Sequence, residues 1–214
     1  CRLSLYRQIY QRVSEEKTTE KSDSGSASHI QADPLGGGAF SYNESGAVVF
    51  AESNPSEDDS VLISAAQALF KSACLTQWDF TCGCIYNTDY ESYVQNEFGW
   101  TFYKITDEGI NSIDDILEQY HKVFSDRFPA PPMDIYTEQD GNVYMMSGGR
   151  GAHLYYSASK ITDIQSKSDD EIVFTVENYY DRSDFDDKPY TETDTFSAVI
   201  DGDTWYVGQF TMPY

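Results

Sequence analysis

The chain has 214 residues, 40% of them hydrophobic and 15% aromatic, with 17 tyrosines and 12 phenylalanines. That length suits one domain of ordinary size with a sizeable core plus a tail, and the aromatic excess leans towards sheet. A formal net charge of -22 repels phosphate backbones and argues against nucleic acid as a partner, and no run of 18 apolar residues offers a membrane span.

The acidic excess lies beyond residue 21: residues 1–21 carry five basic side chains against three acidic ones. Leu5, Ile9 and Val13 recur there at a four-residue spacing, so residues 1–14 are expected as a basic amphipathic or juxtamembrane segment, an N-terminal membrane tether. The start at Cys1 reads as a processed or internal one, with Cys1 as a candidate lipid-carrying cysteine. Residues 15–54 are expected as a flexible linker. Glu15–Gly38 is polar and Ser/Gly-rich without an apolar period, and residues 39–51 either pair weakly as a hairpin about Asn43–Gly46 or continue the linker.

The folded domain is expected over residues 55–214. Ser56 followed by Asp59 resembles a capping box, with Asp in the place of Glu. Leu62, Ala65, Ala66, Leu69, Phe70 and Ala73 then follow helical spacing to an end near Leu75. A cysteine-containing turn spans 78–85. Residues 93–98 and 100–105 read as strands joined through Gly99. A second helix is capped by Ser112 with Asp115, carries Ile113, Ile116, Leu117, Tyr120 and Phe124 on one face, and is stopped by Pro129, Pro131 and Pro132; His121 is expected to face solvent. From Met133 onward the pattern is strand, with Asp140-Gly141 as a hairpin turn and Asp201-Gly202-Asp203 as the last turn. The expected fold is α+β, with two main helices on one face of a curved, mostly antiparallel sheet, nuclear-transport-factor-like or cystatin-like.

Few residues carry chemistry. Cys74, Cys82 and Cys84 lack the spacing of a zinc ribbon. In an oxidising compartment a disulfide from Cys74 to Cys82 or Cys84 is expected; the alternative is three reduced cysteines. The acidic runs at Asp181–Asp187 and Asp201–Asp203 do not follow the EF-hand spacing, so no metal and no cofactor are assigned. No serine-nucleophile, zinc-helix, phosphate-loop or dinucleotide motif is present, so no catalytic residue is assigned and a non-enzymatic role is expected. The most distinctive segment is Ser147-Gly148-Gly149-Arg150-Gly151. Its glycines permit close backbone approach, and its arginine stands in a stretch poor in basic residues and can clamp a carboxylate. Gly148, Gly149, Arg150 and Gly151, with His153 just beyond, are the expected partner-binding residues.

The succession of Trp100–Asp107, Ser112–Leu117 running through Val123–Ser125, Asp140–Tyr144 and Gly148–Gly151 resembles the extracellular DL-endopeptidase inhibitors of Gram-positive bacteria, over about residues 58–178. The cysteines and the Asp181–Asp187 loop depart from that pattern. The resemblance implies a secreted or cell-surface protein that blocks an NlpC-type cell-wall hydrolase, with the glycine-rich turn on the binding edge. The competing expectation is a surface domain whose curved sheet encloses a small-ligand pocket.

Overall fold

The computed structural model describes residues 38–51, 58–147, 153–183 and 188–214. Residues 1–37, Ser56, Gly148–Gly151 and Asp184–Asp187 fall outside the described residues, and with them the expected tether, most of the linker and the core of the expected binding turn.

Residues 40–50 belong to the sheet, which corrects the C-terminal part of the expected linker. Strand β1 (Phe40–Tyr42) pairs antiparallel with β2 (Val48–Phe50). The turn between them is organised by Asn43, whose side-chain oxygen accepts from the backbone N–H groups of Ser45, Gly46 and Ala47 at 2.9–3.0 Å. An Asn that satisfies three donors at once replaces the ladder bonds the turn gives up. Phe40, Val48 and Phe50 are buried in the core.

Helix α1 (Asp59–Trp78) is capped by Asp58 and not by the expected Ser56: the Asp58 side chain accepts from Ser60 N at 2.9 Å. Its buried residues include Leu62, Ala65, Ala66, Leu69, Phe70 and Ala73, the spacing read from the sequence. The helix does not stop at Leu75. It runs on to Trp78 and continues as a π-helical turn, Asp79–Gly83, closed by Cys84 in the left-handed region (φ 54°, ψ 59°). Glycine ordinarily fills that closing position.

The expected single sheet is two antiparallel sheets. Strands β3 (Thr88–Gln95), β4 (Thr101–Ile105), β5 (Tyr136–Gln139) and β6 (Asn142–Met146) form one, in the order β3-β4-β6-β5. Strands β7 (Tyr156–Lys167), β8 (Glu171–Tyr180), β9 (Tyr190–Asp201) and β10 (Thr204–Val207) join the first hairpin in the other, in the order β1-β2-β10-β9-β8-β7. Two hairpins on either side of the second helix thus pair with each other through β4 and β6, while the C-terminal meander takes up the N-terminal hairpin. Helix α1 lies on the six-stranded sheet, and one hydrophobic cluster joins residues of both sheets and both helices. The architecture is α+β.

Helix α2 (Ile113–Tyr120) begins with the expected capping box, Asp115 N donating to Ser112 Oγ at 3.1 Å and Ser112 N to Asp115 at 2.8 Å. It ends at Tyr120, well before the prolines. Tyr120 and Phe124 stack with ring centroids 4.2 Å apart, and Phe124 bridges in parallel to Val207 of β10. That pairing draws the chain out of the helix. His121 is half-buried, its Nδ1 3.1 Å from Phe124 O, in place of the solvent position expected.

Candidate functional site: an aromatic hairpin beside an open cleft

The β3–β4 hairpin carries large apolar rings into solvent. Relative exposure is 65% for Tyr90, 58% for Tyr93, 72% for Phe98 and 55% for Trp100. Local sequence explains each position. Asn96 accepts from Phe98 N and Trp100 N, both at 3.0 Å, and Gly99 adopts φ +77°. This turn holds Phe98 and Trp100 at the hairpin tip, their rings 6.0 Å apart and tilted by 46°. Within β3, Asp89 accepts from Glu91 N at 2.9 Å and Ser92 Oγ at 2.7 Å. The strand is irregular there, between Asp89 and Tyr93, and the bulge turns the Tyr90 ring against Tyr103 at 4.8 Å. The bond from the Ser92 hydroxyl, with that from the Glu91 amide, holds the Asp89 carboxyl below the usual carboxylate range.

A cross-strand row connects this surface to the core. Tyr136 pairs with Met145, Met145 with Tyr103, and Tyr103 with Tyr93. Directly opposed residues lie on one face of a sheet. Tyr136 and Met145 are buried, Tyr103 is half-buried and Tyr93 is exposed, so the row runs outward past the cover the core provides. Against its outer half opens a cleft of ≈ 580 Å³, lined by Trp100, Thr101, Tyr103, Asp134, Met146 and Ser147.

The cleft adjoins the π-helical turn through Met146. Cys84 Sγ donates to Met146 O at 2.9 Å. Nearby, Tyr86 and Tyr136 sit with ring centroids 6.1 Å apart, and among the described residues neither phenol oxygen has a hydrogen-bond partner. Burial pushes the Tyr86 phenol up to about 12, raises Tyr136 further, and raises the Asp79 carboxyl. Both phenols are therefore neutral at physiological pH.

The structure distributes the expected site residues unevenly. Gly148, Gly149, Arg150 and Gly151 lie outside the described residues; Ser147, which precedes them in sequence, lines the cleft. His153 is exposed and packs on Tyr155 and Tyr180, with centroids 5.6 and 4.9 Å away. Tyr180 lines a second, smaller cleft of ≈ 280 Å³ together with Ser157, Asp181 and Tyr190. The aromatic hairpin itself was not among the expected binding residues. Its signal was two aromatics flanking the turn residue Gly99, where a turn leaves little to bury them.

Cys74, Cys82 and Cys84 are free thiols, so the expected bridge from Cys74 is not formed. Cys74 lies within α1 and is buried in the core, while Cys84 is spent on Met146 O after a further turn of helix. Burial pushes the Cys74 thiol up to about 12, and thiolate is the reactive form. Iodoacetamide at pH 8 should therefore alkylate the half-exposed Cys82 well before Cys74, which should react only in denaturant. Peptide mass mapping over a time course checks this; equal native rates at the two sites would refute it.

Among the described residues no cluster of His, Cys, Asp and Glu is placed to hold a metal, and no helix is long and apolar enough to cross a membrane. No protein-family model matches the chain, and no curated protein matches it.

Proposed function

We propose that this chain is a binding domain of the bacterial cell surface that docks a protein partner on the β3–β4 aromatic hairpin, with an NlpC-type cell-wall DL-endopeptidase as the partner it restrains. The observation that carries the docking surface is the exposure of Tyr90, Tyr93, Phe98 and Trp100 on one hairpin whose Trp100 and Tyr103 line the cleft. Tyr and Trp supply large contact area at small entropic cost and dominate the energetics of protein interfaces. Such rings gathered on one hairpin favour recognition over chance exposure. Ser147, the residue that precedes the expected Gly148–Gly151 binding segment, lines the same cleft. The partner class rests on the sequence resemblance to extracellular endopeptidase inhibitors. The finer likeness to nuclear-transport-factor-like or cystatin-like folds belongs to the same reading, supported by a helix lying across an antiparallel sheet.

The test is capture and inhibition of the source organism's NlpC-type hydrolases by the full chain. Trp100→Ala should weaken binding at least tenfold, about 1.4 kcal/mol or more, while near-UV circular dichroism and the denaturation midpoint stay close to wild type. Undiminished binding by a folded Trp100→Ala and Tyr103→Ala double variant would remove the hairpin from the interface.

A further inference from the structure

We propose that the cleft beside Trp100 receives a basic side chain, a lysine or an arginine, of the docked protein. The proposal rests on the reading of the β3–β4 hairpin as a docking surface and specifies what that surface selects. Charge is the first argument. The hairpin carries Asp89, Glu91 and Glu97 against Lys104, and Lys104 stands opposite Asp89 in the strand register. Asp134 is an exposed acidic lining residue of the cleft and makes no ion pair among the described residues. The described basic residues Arg127 and Lys167 are paired elsewhere, with Asp170 and Asp59. A cationic group entering the cleft thus meets a carboxylate that the described residues leave without a counter-ion.

Ring geometry is the second argument. Tyr103 meets Tyr90 at 4.8 Å and Tyr93 at 6.3 Å, each tilted by 59°. Tyr103 and Trp100 both line the cleft, so a cation entering it meets aromatic rings, which suits it. The fold already uses this chemistry elsewhere: the Arg182 guanidinium carbon lies 4.7 Å from the centroid of the Tyr155 ring.

The isotope-labelled full chain titrated with acetyl-Gly-Arg-Gly-amide, its lysine counterpart and its citrulline isostere tests this. The chain has 3 tryptophans, so the Trp100 indole N–H signal is assigned by its loss in Trp100→Phe. The basic peptides should shift that signal saturably with weak affinity, and 0.5 M NaCl should reduce the response. The citrulline peptide should leave it in place. Asp134→Asn should weaken the arginine response about three- to tenfold with the spectrum otherwise unchanged. An equal response to citrulline, or an arginine response confined to residues away from the cleft, would overturn the proposal. Hydrolase capture that depends on Trp100, with no Trp100 response to either basic peptide, would overturn the basic-side-chain assignment while leaving the docking surface standing. A cleft response to arginine with no hydrolase captured would overturn the choice of partner and support the cleft's selectivity.

Discussion

A chain that begins at Asp58, lacking the β1–β2 hairpin, is expected to lose most of its stability, and Trp205→Ala should reproduce a large part of that loss. Trp205 has no solvent exposure. It pairs with Val48 of β2, and its ring lies 4.8 Å from Phe50 and 6.3 Å from Phe174. It therefore fastens the N-terminal hairpin to the centre of the meander. Replacing a fully buried tryptophan by alanine costs about 3–5 kcal/mol, a large share of the roughly 5–15 kcal/mol that stabilises an ordinary domain. Removing the hairpin also uncovers Trp205 and strips Phe40, Val48 and Phe50 from the core. Urea denaturation followed by far-UV circular dichroism measures both effects. An unfolding free energy for the Asp58 start within about 1 kcal/mol of the longer chain's would show that residues 38–51 are dispensable, as the linker reading required.

The hairpin shows where local sequence was informative and where it was not. Asn43 and Gly46 marked the turn, because a side chain that caps three amides is a local property. Membership in the sheet depended on Trp205, more than 150 residues away, which no local pattern reports. Helix α2 was legible at its start, since Ser112 and Asp115 build the capping box between themselves. Its end was not, because Tyr120–Phe124 stacking and the bridge to Val207 end it before the prolines are reached. Asp140-Gly141, with φ of 53° and 72°, named the turn between β5 and β6, because a residue pair that accepts positive φ is a local property.

The candidate site was harder to read for a physical reason. Tyrosine serves both core and interface, so Tyr136 and Tyr93 look alike in sequence although one is buried and the other exposed. They share a cross-strand row through Met145 and Tyr103, and which end of the row is covered follows from the packing of distant elements. The glycine-rich turn was conspicuous by composition, and the aromatic hairpin by nothing more than Phe98 and Trp100 beside a glycine. The cysteine spacing pointed to a bridge because the length of helix between Cys74 and Cys84 was underestimated: the helix runs past Leu75 to Trp78 and then on through the π-helical turn Asp79–Gly83.

Gly208→Ala should destabilise the fold by about 1–3 kcal/mol, the usual range for forcing atoms into a filled interior, and Gly208→Val by more. Strand β10 stops at Val207, and Gly208 is where the backbone closes on its neighbour. Gly208 N donates to Ser197 O at 2.8 Å and Gln209 N donates to Ser197 Oγ at 2.7 Å. A Cβ built on Gly208 would lie 2.3 Å from Ser197 Oγ and 3.1 Å from both Phe128 and Val199 side-chain atoms. Ser197 is buried and its hydroxyl is held by Gln209, so it cannot rotate aside without leaving that amide unpaired. A cycle with Ser197→Ala separates the two costs. Ser197→Ala alone loses the hydroxyl bond. In the double variant the 2.3 Å clash is gone, so adding Gly208→Ala to the Ser197→Ala background should cost less than adding it to the wild type. Equal costs in both backgrounds would show that the hydroxyl is not what excludes a side chain there, leaving Phe128 and Val199 as the limiting walls.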